Sequence, residues 1–180
     1  LQKFGGDLYV GSLTIMQSVM QLFSAPLSGY TQGVQPIVSY NFGAGKFDRV
    51  RTTYRYMLFG SFLISFVTAA SAMIFPEFYA MMFTNEGDLI ALTGKVMPVF
   101  MAGMLIFGLQ NGIQPTFLGL GQAKISLFIA LLRKVILLVP LALIFPNFFG
   151  VMGVYYAEPV ADITSAVIAS ILFLCNIKKI

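Results

Sequence analysis

The sequence predicts an all-α, polytopic membrane helix bundle, and three observations carry that prediction. Of its 180 residues, 58% are hydrophobic and only 10% charged, where soluble domains average about 25% charged. Mean hydropathy is +0.85, more apolar surface than one domain can hide, because a chain of about this size still exposes roughly 30% of its unfolded surface after folding. Residues 8–45, 56–76, 96–123 and 135–157 carry no formal charge, and each interval is longer than the roughly 20 residues that cross a hydrocarbon core.

These intervals, with a further apolar stretch from Val151 to Ile177 that only Glu158 and Asp162 interrupt, predict five transmembrane helices at approximately 8–42, 55–76, 90–118, 125–146 and 151–176. The first is longer than a bilayer needs at about 1.5 Å per residue, and Pro26 and Pro36 are its expected bend points. Gly43-Ala-Gly45-Lys46 reads as a compact helix end. It is not a phosphate loop, since Tyr40 stands where the first glycine is needed and Phe47 follows the lysine. In the third span Pro115 removes a backbone donor and predicts a break beside Gln110, Asn111 and Gln114. Basic residues mark the connections. Lys46, Arg49, Arg51 and Arg55 fall between the first and second spans, Lys124, Arg133 and Lys134 between the third and fourth, and Lys178 and Lys179 in the tail. Lys3 and Lys95 fall on the opposite side with Asp7, Glu77, Glu86 and Asp88. The positive-inside rule then predicts an outside start and a cytoplasmic C-terminus in the plasma membrane. The opening Leu1-Gln-Lys-Phe-Gly-Gly-Asp7 has neither an initiator Met nor a signal-peptide apolar region. With an odd number of spans entered from outside, the expectation is a fragment that lacks at least one preceding helix.

Composition removes several chemistries. The chain has no His and a single cysteine, Cys175, so His-based triads, zinc sites and internal disulfides are excluded. No cofactor and no metal site are expected. The net charge of +4 does not point to nucleic acid, because the basic residues cluster at segment ends instead of forming a stripe interleaved with aromatics. Cys175 reads as a small apolar residue near the end of the last span.

Polar residues inside the spans follow a pattern. Gln17, Gln21, Ser24, Ser28, Gln32, Gln35 and Ser39 recur every three or four residues, the repeat of one helix face. Unmatched amides cost several kcal/mol in hydrocarbon, so this stripe faces protein or a water-filled cavity; interhelical hydrogen bonding alone would also account for it. Gly29 and Gly33 form a G-x-x-x-G, the pattern of close helix packing. Gln110 and Gln114 lie one turn apart and repeat the amide theme. Met16, Met20, Met101 and Met104 would offer a deformable apolar wall. Glu158 and Asp162 sit four residues apart on one helix face, about 10–17 Å along a helix that starts near Val151. An acidic residue at mid-membrane costs on the order of 2.5–3.5 kcal/mol to insert, and intramembrane carboxylates mark cation sites, proton relays or ion pairs. The alternative is an inter-helix ion pair, with a basic residue on a helix outside this sequence as one candidate partner.

The stretch from Gly29-Tyr-Thr-Gln-Gly-Val-Gln-Pro to Gly43-Ala-Gly45, followed by Asp48-Arg49-Val50, resembles the second-helix signature of multidrug and toxic compound extrusion (MATE) transporters. Phe117-Leu-Gly-Leu-Gly-Gln-Ala-Lys124, Leu131-Leu-Arg-Lys134 and Ala157-Glu-Pro-Val-Ala-Asp162 are similar to later helices of that family's C-terminal bundle. The resemblance covers essentially the whole chain. It implies helices eight to twelve of a twelve-helix transporter, with the N-terminal bundle and the helix before this chain as partners. It also implies exchange of small organic cations or drugs for H+ or Na+ by alternating access in the lipid bilayer. Gln32, Gln35, Asn41, Glu158 and Asp162 match motif positions, whereas Gln17, Gln21, Gln110 and Gln114 rest on the stripe argument.

Three other functions remain to be weighed. A flippase for lipid-linked saccharides would share the architecture but should place more cationic residues in the cavity, whereas here they cluster at the segment ends. A membrane-embedded enzyme would need a nucleophile, a metal cluster or a convergent acid pair, and the sequence has no His, no G-x-S-x-G and no GxGD-type aspartate pair. A non-transporting scaffold subunit has no use for buried carboxylates.

Overall fold

The computed structural model describes residues 2–177. Leu1, Lys178, Lys179 and the side chain of Lys3 lie outside the described residues, and with them part of the expected charge bias. The order is α1 (Gln2–Gly43), α2 (Phe47–Ile74), a short α3 (Pro76–Met81), α4 (Gly87–Met101), α5 (Met104–Gly119), α6 (Ala123–Leu131), a π-helical segment (Leu132–Leu138), α7 (Val139–Phe149) and α8 (Val151–Ile177).

Three helices are long and apolar enough to cross a membrane: Phe47–Ile74, the run Ala123–Phe149 that includes the π segment, and Val151–Ile177. The pair α4 and α5, bent by 46° at its junction, makes a fourth if it is counted as one span. Helix α1 falls outside this set although it has the length, because its glutamines dilute its apolar character.

One expectation about breaks is corrected, that at Pro115. Helix α1 keeps helical angles through Pro26 and Pro36, and its one internal discontinuity is at Gly6 (φ 72°). Helix α5 runs unbroken through Pro115. The third span bends instead at Ala102–Gly103, between α4 and α5. A proline in a long membrane helix loses one hydrogen bond, but neighbouring groups can satisfy the freed carbonyl. The turn after α1 forms as expected: Gly45 adopts φ 69° and the Lys46 N–H donates to the Asn41 carbonyl at 2.9 Å.

Close packing falls on a different glycine pair from the one expected. A Cβ at Gly29 or Gly33 would meet nothing within 4 Å. At Gly108 and Gly112 of α5, one turn apart, it would run into α2, meeting Ser65 Cβ at 2.7 Å and Ser61 Oγ at 2.7 Å respectively. The small residues let the two backbones approach, and the Ser65 hydroxyl donates to the Met104 carbonyl across the contact.

The bundle is layered along its length. One apolar cluster gathers Met16, Val19 and Phe23 of α1, Ala69 and Ala72 of α2, Met101, Met104 and Phe107 around the α4–α5 junction, and Tyr155 of α8. The second gathers Val38 of α1, Val50, Tyr54 and Met57 of α2, Ile113 and Phe117 of α5, and Ala169 and Phe173 of α8. On every helix that contributes to both, the residues between the clusters include polar ones. Ser61 and Ser65 of α2, Gln110 of α5, and Asp162 and Ser165 of α8 are all buried there. The fold thus encloses a polar layer at mid-height between two apolar ones.

Candidate functional site

The polar layer is organised by an ion-pair network. Arg133 Nε donates to Asp162 Oδ1 at 2.5 Å, and Arg133 Nη2 donates to Glu158 Oε1 at 3.1 Å. The Asp162 side chain is 1% exposed, that of Arg133 11% and that of Glu158 14%. The guanidinium also lies 4.2 Å from the centroid of the Phe107 ring, a cation–π contact. The i, i+4 spacing of the two carboxylates makes them reachable by one arginine, as the sequence spacing predicts. The partner is the surprise, because it lies on this chain and in what the sequence suggests is a cytoplasmic loop.

Arg133 and Lys134 are corrections to the expected charge distribution. Both lie within the helical run Ala123–Phe149, about 15 Å from its start at 1.5 Å per residue. They do not belong to a connection. They open the π segment Leu132–Leu138, a widened turn of the kind found mostly as short interruptions at functional sites. A wider turn swings adjacent side chains through a smaller angle, and Arg133 and Lys134 both line the same cleft.

That cleft lies between α1, α5, the π segment and α8. One lobe, about 410 Å³, is lined by Ser24 and Ser28 of α1, Gln110, Asn111 and Gln114 of α5, and Arg133 and Lys134. The other, about 500 Å³, is lined by Gln17, Gln21 and Ser24 with Met20, Lys134 and Glu158. Ser24, Phe107, Arg133 and Lys134 border both lobes, which form one continuous polar groove. Six of the predicted site residues therefore meet here or at its floor: Gln17, Gln21, Gln110, Gln114, Glu158 and, beneath Arg133, Asp162.

The remaining three do not join them. Gln32 is exposed, Gln35 is half-buried, and neither borders the cleft. Asn41 is buried at the end of α1, where its side-chain amide donates to the Ile37 carbonyl at 2.8 Å. It borders a separate shallow hollow with Asp48 and Arg49. Of the methionines, only Met20 reaches the cleft; Met16, Met101 and Met104 are core. Hydroxyls on the stripe are partly self-satisfied, since Ser24 and Ser39 donate to carbonyls four residues earlier at 2.7 and 3.3 Å.

The floor is held from below. The Ser165 hydroxyl donates to Gln110 Oε1 at 2.6 Å, tying α8 to α5 beside Asp162. Gly103, at the bend of the third span, packs so close to α8 that a Cβ there would stand 2.7 Å from both Asp162 Cβ and Pro159 Cα. The sequence offered no sign of Gly103 or Ser165. Among the described residues Asp162 Oδ2 has no hydrogen-bond partner. The triad thus combines two carboxylates with one guanidinium, a surplus of one negative charge when all three are ionised, in a place where uncompensated charge is costly.

A helical bundle that buries such a network beside a polar groove at mid-height has the architecture of a membrane transporter, and the likeness to solved structures gives that architecture a family. A MATE family transporter of the MOP superfamily in its outward-facing conformation superposes with TM-score 0.89 at 19% identity, over 99% of this chain and 40% of that one. The MATE multidrug transporter DinF-BH in complex with R6G superposes with TM-score 0.85 at 33% identity, over 98% of this chain and 40% of that one. The multidrug export protein MepA of Staphylococcus aureus (strain MSSA476) is 24% identical over 171 residues, 93% of this chain and 37% of MepA. The MepA of Staphylococcus haemolyticus (strain JCSC1435) is 22% identical over 91% of this chain and 36% of its own length. The MatE family profile matches residues 1–144. The chain belongs to the MatE family, a family of transporters and not of enzymes. It spans about two fifths of the length of these relatives.

Proposed function

We propose that this chain forms the cargo- and ion-binding part of a multidrug exporter that exchanges organic cations or drugs for protons or sodium by alternating access. In this reading the groove lined by Gln17, Gln21, Gln110 and Gln114 receives the cargo, and Glu158 and Asp162 bind the coupling ion. The spans number five, α1 included, with the C-terminus in the cytoplasm and the remaining helices of the transporter completing the cavity. The observation that carries the reading is the two-carboxylate, one-guanidinium triad. Its two carboxylates, with Asp162 Oδ2 unpartnered among the described residues, give one monovalent cation a place at membrane depth in exchange for the guanidinium or the nearby Lys134. Midplane sites between helices are the usual location for coupling ions in secondary transporters.

The test is transport by the full-length protein in proteoliposomes, with a fluorescent organic cation and an imposed proton or sodium gradient. Glu158→Gln and Asp162→Asn should each abolish gradient-driven transport while insertion stays intact. Full transport by the double variant would remove the pair from the mechanism. A flippase for lipid-linked saccharides gains support from one observation, that Arg133 and Lys134 line the groove; gradient-independent lipid scrambling by the same vesicles would favour it.

A further inference from the structure

The geometry points to a site for an anionic phospholipid at the start of α2, where Arg51 and Arg55 hold the headgroup and an apolar strip below them takes the acyl chains. The length of the helix sets the level. Its 28 residues span about 42 Å at 1.5 Å per residue, against a hydrocarbon core of roughly 30 Å. About 12 Å therefore stands in the headgroup layers. At the far end Ile74 and Phe75 are exposed and apolar, so the surplus falls on the first turns, down to the level of Arg55. Below it one face of α2 changes character. Arg51 and Arg55 are exposed one turn apart, and the same face continues through Phe59, Leu63 and Phe66, all of them exposed. Tyr56, 70% exposed beside Arg55, adds an amphipathic ring of the kind that settles at the membrane–water interface. Helix α2 borders neither lobe of the groove, so closing the cavity over the groove leaves this strip facing lipid.

The charge at this end is not spent internally. Neither arginine makes an ion pair or a side-chain hydrogen bond among the described residues, and nor do the exposed Lys46 and Arg49 beside them. Asp48 is the only carboxylate on α2, and it forms no ion pair among the described residues either. Four basic residues against that one carboxylate leave a surplus of three positive charges. A guanidinium meets phosphate oxygens with paired N–H donors, and each basic residue beside an anionic bilayer surface adds to the attraction. Phosphatidylcholine presents the same phosphate but neutralises it with its own ammonium. The pair of arginines therefore selects the headgroup with a net negative charge, while the strip below accepts the tails of either lipid.

Native mass spectrometry of the full-length protein, in micelles holding equal amounts of phosphatidylglycerol and phosphatidylcholine, reads which lipid is retained. The parent protein should keep phosphatidylglycerol over phosphatidylcholine by about tenfold, the scale expected of two interfacial arginines. Arg51→Gln combined with Arg55→Gln should bring the ratio near one, and Arg51→Lys combined with Arg55→Lys should keep most of it. Lys95→Gln, on α4 beside the other apolar cluster, should leave the ratio unchanged. Equal retention of the two lipids by the parent, a ratio that the glutamine pair leaves intact, or an equal fall with Lys95→Gln would each overturn the site. Displacement of bound phosphatidylglycerol by the same concentration of glycerol 3-phosphate would assign the arginines to a soluble phosphate and overturn the lipid assignment.

Discussion

Replacing Arg133 with Gln should be the most damaging single change in the polar layer. The side chain holds Asp162 at 2.5 Å and Glu158 at 3.1 Å, and at an effective dielectric of about 20 each contact near 3 Å carries roughly 5 kcal/mol of Coulomb attraction. Most of that is offset by desolvation while the pair is intact, so its net worth is small. Losing one partner is different, because breaking a buried pair leaves uncompensated charge and costs about 3–5 kcal/mol. Here two carboxylates are stranded at once, one of them 1% exposed, which places Arg133→Gln in the upper half of that range. The triple variant Arg133→Gln, Glu158→Gln, Asp162→Asn strands no charge and should recover about half of the loss or more. Thermal unfolding of the full-length protein in detergent, followed by circular dichroism, makes the comparison. If Arg133→Gln unfolds with the parent, or if the triple variant is no more stable than the single one, the triad does not hold the bundle in the way described.

Three further outcomes follow from the packing. Gly103→Val should cost about 1–3 kcal/mol through overpacking, since its first side-chain atom already meets Asp162 and the Pro159 backbone; Gly29→Ala, with nothing within 4 Å, should cost nothing in the same unfolding assay. Gly108→Val should separate α5 from α2, lowering the unfolding temperature and raising the reactivity of a cysteine placed at Ser65 toward a membrane-permeant maleimide. Ser165→Ala removes the hydroxyl that Gln110 accepts from and should cost about 1–3 kcal/mol, while Ser165→Ala combined with Gln110→Leu should cost less than the sum of the two, as expected for one shared contact.

Much of the fold is legible in the sequence because the bilayer demands long uncharged helices, and long uncharged intervals are easy to find. The amide stripe on α1, the Gln110 and Gln114 pair and the two carboxylates were legible for the same reason: polar groups are costly in that medium, so they stand out by spacing. What stayed hidden depends on side chains from other helices. Arg133 and Lys134 look like loop residues when a span is taken to be uncharged throughout. The predicted bounds of 125–146 already enclose them, and the turn at Gly121 (φ 74°), just before α6, marks a helix start ahead of both. Pro115 was overread as a break, because its lost hydrogen bond shows locally while the neighbours that compensate do not. Gly29 and Gly33 match the packing motif but touch nothing, whereas Gly108 and Gly112 do the packing; only the facing serines of α2 distinguish the two pairs.

Gln17 and Gln21 alternate along α1 with Met16, Val19 and Phe23 of the first apolar cluster, so the hydrophilic groove runs alongside that cluster as well as into the stratum between the two. On the proposed transport reading, a guest meets the Arg133 triad through the flank on which the groove opens. These helices furnish the depth and charge of a niche, and whatever stands opposite that flank decides when the niche is a pocket and when it is a doorway.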